Sequence, residues 1–124
     1  AAPEAILPIP LHPRRLRHRG FNQAAVLANH LAIGSGCPLD TARLRRVRAT
    51  RAQTELDLEA RRRNVRGAFR AVDGRPYRRV VLVDDVMTTG ATSEAAARAL
   101  RAVGVEWIAV VAASDADPAY HQRS

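Results

Sequence analysis

The alternation of apolar and polar positions divides the chain into strand-like and helix-like segments. Ala5–Pro10 is a short apolar run ended by prolines, as expected of a strand. Phe21, Ala24, Ala25, Ala28 and Leu31 recur at helical spacing, predicting a helix over Phe21–Ile33 that stops at Gly34-Ser35-Gly36. Leu44–Val47 suits a short strand. Residues 49–66 are polar and arginine-rich, with Leu56 and Leu58 the only large apolar anchors before Val65, and read as a mobile loop passing into a short helix. Gly67–Val72 predicts a strand closing on an Asp73-Gly74 turn. Val80–Val83 is a continuous run rich in β-branched residues, the pattern of a strand buried on both faces of a parallel sheet. Ala95, Ala96, Ala99 and Val103 share one side of a helix expected over Ala91–Val103, which Gly104 ends. Glu106–Ala113 then supplies a last strand, with Trp107 expected in the core. Strands alternating with helices predict a single α/β domain, with a mainly parallel sheet flanked by helices.

Composition bounds this picture. A chain of 124 residues that is 47% hydrophobic can bury one core. No run approaches 18 apolar residues, so no membrane span is expected, and no segment reads as a signal peptide. Cys37 is the single cysteine, which rules out an internal disulfide and suits the cytoplasm, the expected location. The sequence opens at Ala1 and its single methionine is Met87, which is read as trimming.

Charge changes the picture more. All basic side chains are arginines, and residues 1–79 hold 17 of them against six carboxylates, a local charge of +11; residues 80–124 sum to −3. Such a basic front portion implies an anionic partner, either a polyphosphate or a nucleic acid. Aromatic residues make up only 4% of the chain and do not interleave with the arginines, which favours backbone contact over base stacking.

The most informative stretch is Val80–Thr92, Val-Val-Leu-Val-Asp-Asp-Val-Met-Thr-Thr-Gly-Ala-Thr. A buried strand delivers Asp84 and Asp85, and a turn of small hydroxylated residues then opens a helix. Ligands of open α/β sheets bind at the carboxyl ends of strands, so a site is expected here. Thr88, Thr89 and Thr92 offer hydroxyl donors, Gly90 lets the backbone approach closely, and the first helical turn, with Ala91, points N–H groups at the loop. A phosphate suits that cradle. Ionised Asp84 and Asp85 accept only, which matches the two hydroxyls of a ribose. Paired acids also end strands in phosphoacceptor domains and phosphatases, and threonines often simply cap helices. The Thr-Thr-Gly-x-Thr tail speaks against those readings.

The segment resembles the signature by which type I phosphoribosyltransferases bind phosphoribosyl pyrophosphate (PRPP). The resemblance implies that Asp84 and Asp85 lie nearest the chemistry and hold the ribose, directly or through water on Mg²⁺. It also implies that Thr88, Thr89, Gly90, Ala91 and Thr92 wrap the 5′-phosphate. Two further runs narrow the resemblance. Pro8–His12 followed by Arg19–Gln23, and the spaced set Thr50, Gln53, Leu56, Arg61, Asn64, Gly67 and Phe69, are similar to motifs of the ComF family of competence-associated phosphoribosyltransferase-like proteins. The central set also resembles the flexible loop of glutamine amidophosphoribosyltransferases. His12, Arg14 and Arg15 are thereby expected at the pyrophosphate end, with Arg51 and Gln53 reaching in when the loop closes. His12 is read as an orienting donor, with general-acid work as the alternative. Many ComF-type proteins carry an N-terminal module of paired cysteines with zinc-ligand spacing; this sequence has none, and residues 1–124 are read as the phosphoribosyltransferase-like domain alone.

The resemblance implies a pentosyltransferase that transfers the 5-phosphoribosyl group of Mg²⁺-bound PRPP to an unidentified acceptor, with a family link to DNA uptake. The alternative is a non-catalytic protein that senses PRPP or binds single-stranded DNA. Oligomeric state is left open.

Overall fold

The structure is a computed structural model that describes residues 2–11, 22–47, 67–72, 74, 77–84 and 90–112. The helix expected within 49–66, the Asp73 turn and the ends placed at Phe21 and Ala113 lie outside these residues. Among the described residues, five strands and two helices follow in the order β1 (Ala5–Pro8), α1 (Gln23–Ser35), β2 (Leu44–Arg46), β3 (Phe69–Ala71), β4 (Arg79–Asp84), α2 (Ala91–Arg101) and β5 (Trp107–Ala112).

The run Val80–Val83 is the middle of the sheet. β4 pairs in parallel with β1 on one side and β5 on the other, giving the order β1-β4-β5. Val80, Leu82 and Val83 are fully buried, because strands cover both edges of β4 and helices pack on its faces. A parallel bridge between Ile6 and Leu39 continues the sheet beyond β1, with Ile6 N–H donating to the Pro38 carbonyl and Asp40 N–H to the Ile6 carbonyl. Ile9 N–H, by contrast, reaches back to the Val83 carbonyl at 2.8 Å. Pro8 lies between, where the alternation turns its missing N–H away from β4, a position a proline tolerates.

Two apolar clusters fill the two sides of the sheet. On one side α2 sets Ala96 and Leu100 against Leu7, Val80, Leu82 and the ribbon residues Leu44, Phe69 and Ala71. On the other, Ala24 and Ala28 of α1 meet Ile6 and Val83. Small residues on both helices let their backbones approach the sheet. α1 ends where Gly36 turns left-handed at φ 74°, and its N–H closes on the Ala32 carbonyl at 2.9 Å.

Two features depart from expectation. β2 and β3 form a separate antiparallel ribbon beside the parallel sheet. Trp107, expected in the core, is 48% exposed. It opens β5, the outer strand of the sheet, on the face that carries α1, and α1 packs over β1 and β4. An apolar side chain on an edge strand is buried only if another element covers it, and local sequence does not report that.

Candidate functional site

Parallel pairing fixes where the chemistry gathers. Pro8 is opposite Val83 and Asp84 is opposite Ala112, so β1, β4 and β5 all end at the same edge of the sheet. In sequence the basic run follows the end of β1 and the acidic pair closes β4, and the pairing sets those two strand ends side by side.

Asp84 is the last residue of β4 and only 5% exposed, although its neighbours are apolar. A buried carboxylate is costly unless it is bonded, so its position is a constraint on the strand end and not an incidental surface charge. Gly90 adopts φ 79° as the N-cap of α2, and among the described residues no side chain caps that helix. A left-handed residue at this point is tolerated by glycine and strains most others. Ser93 Oγ donates back to the Gly90 carbonyl at 3.1 Å, and Glu94 N–H to the same oxygen at 2.8 Å, which fixes the first turn. Ala91 is buried and Thr92 half-buried there. Of the acidic-loop residues, Asp84, Gly90, Ala91 and Thr92 are therefore brought to one sheet edge, and Asp85, Thr88 and Thr89 lie outside the described residues. His12, Arg14, Arg15, Arg51 and Gln53 also lie outside them.

The structure adds residues that the sequence reading did not single out. Asn22 caps α1, its Oδ1 accepting from the N–H of Ala24 at 3.0 Å and of Ala25 at 3.3 Å, while its Nδ2 donates to the Ile9 carbonyl at 3.3 Å. The end of β1 and the start of α1 are thereby tied across the basic run. Arg46 stacks over the Phe69 ring, 5.0 Å from its centroid, and donates to the Pro10 carbonyl at 3.4 Å. It joins the foot of the ribbon, from which residues 48–66 depart, to the end of β1. The stack depends on the antiparallel register that sets Arg46 opposite Phe69, and only that register would have revealed it.

A second polar network holds the far end of the ribbon. Asp40 Oδ1 accepts from the N–H of Ala42 and Arg43, and Tyr77 Oη donates to its Oδ2 at 2.9 Å. The buried Arg43 lies over the Tyr77 ring at 4.5 Å. Outside the site, backbone N–H groups of Arg78 and Arg79 donate to Glu4 and hold its carboxyl below the usual range. Burial pushes the Cys37 thiol up, in keeping with an inert half-buried side chain that donates to the Pro3 carbonyl. His30 is exposed on α1.

A parallel sheet flanked by helices, with an acid at the end of its central strand and a glycine-opened helix beyond, defines a phosphoribosyltransferase-type domain. Residues 17–123 match the phosphoribosyl transferase domain family, to which the chain belongs. Within that class its likeness is to ComF-type proteins. The chain is 42% identical over 111 residues to Competence protein F of Haemophilus influenzae, covering 87% of this chain and 48% of that protein. It is 41% identical over 90 residues to DNA utilization protein YhgH of Escherichia coli strain K12, covering 73% and 40%. It is 32% identical over 99 residues to Competence protein ComFC of Bacillus subtilis, covering 77% and 37%. The chain thus spans less than half the length of these relatives.

Proposed function

We propose that the chain binds PRPP at the shared edge of β1 and β4 and transfers its 5-phosphoribosyl group. The observation that carries this reading is the buried Asp84 at the end of the central strand, followed by the glycine-opened start of α2. Asp84, with Asp85, accepts from the ribose hydroxyls; Gly90, Ala91 and Thr92, with Thr88 and Thr89, receive the 5′-phosphate. The C1–oxygen bond to pyrophosphate breaks as a bond from C1 to the acceptor nucleophile forms, and pyrophosphate leaves with the electron pair. Arginines of the basic run and of residues 48–66 neutralise that departing charge. Asp84 and Asp85 would hold Mg²⁺ through water, and the ion would supply neutralisation of the pyrophosphate charge. The described residues gather no cluster of metal-ligating side chains, so this role stands on Asp84 and its sequence neighbour.

In the same reading the domain serves DNA uptake or utilisation, as the names of its relatives suggest. A second reading keeps the PRPP site as a sensor without turnover, on a protein that handles single-stranded DNA. The +11 charge of residues 1–79 favours it. Calorimetric titration of PRPP with Mg²⁺, with released pyrophosphate assayed in the same samples, separates the two. Binding with pyrophosphate release supports transfer, and binding without release across candidate acceptors supports the sensor. An Asp84→Asn/Asp85→Asn variant that is folded and binds PRPP like the parent would refute the site.

A further inference from the structure

The ribbon presents a charge arrangement that the strand-end site does not use. β2 and β3 pair so that Arg45 lies directly opposite Arg70. Alternation then sorts the side chains: Leu44, Phe69 and Ala71 are buried against the core, while Arg45 and Arg70 are both exposed on the outer face. Among the described residues neither arginine is paired with a carboxylate. Directly opposed like charges destabilise an antiparallel pair, whose Cα atoms lie only about 5 Å apart. Charge on a ribbon does discourage aggregation, but one arginine facing a neutral residue would serve that end. Nor do these side chains belong to the strand-end site, because Arg46, which reaches the Pro10 carbonyl, leaves β2 on the opposite face. An anion lying across both guanidiniums turns the repulsion into a contact, and an arginine offers the donor geometry for phosphate.

We propose that Arg45 and Arg70 form a contact for the phosphodiester backbone of single-stranded DNA, on the outer face of the ribbon. The choice of DNA as the polyanion rests on the DNA-handling reading above; the arginine pair does not depend on it. Open exposure suits a long backbone that passes over a surface, and the absence of an aromatic residue from this face predicts binding without base preference.

The test measures the affinity of an oligodeoxythymidylate as a function of salt for the parent protein, for Arg45→Thr/Arg70→Thr and for Arg45→Lys/Arg70→Lys. Each backbone phosphate neutralised contributes about 0.7 to the slope of log affinity against log salt for single strands, so the threonine variant should lose about 1.4. The lysine variant should keep the slope. Threonine should leave the melting temperature unchanged or raise it, because the repulsion is gone, and should leave PRPP affinity intact. A parent-like slope in a folded threonine variant would overturn the assignment while sparing the wider DNA reading. Loss of PRPP or pyrophosphate affinity would overturn it too, by returning the pair to the strand-end site. Failure of the parent protein itself to bind the oligonucleotide would overturn both the assignment and the DNA-handling reading.

Discussion

The two helices among the described residues follow strands that end at one edge of the sheet, yet they begin differently. α1 is closed by its own chain: the Asn22 side chain accepts from the N–H of Ala24 and Ala25 and donates to the Ile9 carbonyl. α2 opens from a left-handed Gly90 with no side-chain cap, beyond a strand that ends in a buried aspartate. A cap satisfies the donors of the first turn from within, while a start without one can offer them to an anion. The Asn22 cap fixes architecture, and under the proposed function the glycine start of α2 is the one that receives the phosphate. Packing does not explain the difference, since each helix sets small residues against the same sheet.

That contrast can be broken or sharpened by substitution. The largest effect should come from the frame that both starts share. Leu82 is fully buried in β4, and Leu82→Ala should cost roughly 2–5 kcal/mol in urea unfolding. Gly90→Ala comes next. Among the described residues the nearest atom to a new Cβ is Ser93 Oγ at 4.0 Å, so the expected penalty is the conformational one. A loss of about 1–2 kcal/mol is expected from the left-handed backbone, and a loss of PRPP affinity with it. Asn22→Ala should cost about 1 kcal/mol of stability, and Asn22→Asp should restore most of it. PRPP affinity should stay within a few-fold of the parent in both. If Asn22→Ala weakened PRPP more than Gly90→Ala, the roles assigned to the two helix starts would be reversed.

The smallest effect concerns Glu4, far from either helix start. Its folded pKa is depressed below 4.5 because the N–H groups of Arg78 and Arg79 bond its carboxylate. A depressed acid contributes stability that is present above its unfolded pKa and lost as pH falls through its folded one. Urea midpoints measured from pH 6 to pH 3 should therefore fall less steeply for Glu4→Gln than for the parent. Equal steepness would mean that the carboxylate gains nothing on folding.

The elements that bear the site were legible because their signals are local. A short apolar run rich in β-branched residues signals a buried strand, and Val80–Val83 became the centre of the sheet. α1 ends at Ser35, two residues beyond the expected end at Ile33, with Gly36 as its cap, and α2 ends at Arg101, two residues before the expected end at Val103, with Gly104 at positive φ just beyond. What stayed hidden depends on partners distant in sequence. Nothing in Leu44–Val47 or Gly67–Val72 says that the two pair antiparallel, so the Arg46–Phe69 stack and the Arg45–Arg70 opposition could not be foreseen. Trp107 was misread for the same reason: its hydrophobicity is local, but cover over an edge strand is not. In the acidic loop, spacing identified Asp84 and Gly90 as the points where strand and helix meet. Only the fold shows that Asp84 is buried and that Gly90 opens α2 in the left-handed region.

The account turns on whether the end of β4, rather than the end of β1, holds the ligand. The most direct measurement is calorimetric titration of PRPP with Mg²⁺ into the parent, Asp84→Asn and Asn22→Asp, each first shown to be folded by its melting transition. Heat of binding should be lost with Asp84→Asn and kept with Asn22→Asp. Parent-like binding by folded Asp84→Asn, or no binding by the parent at all, would contradict the assignment.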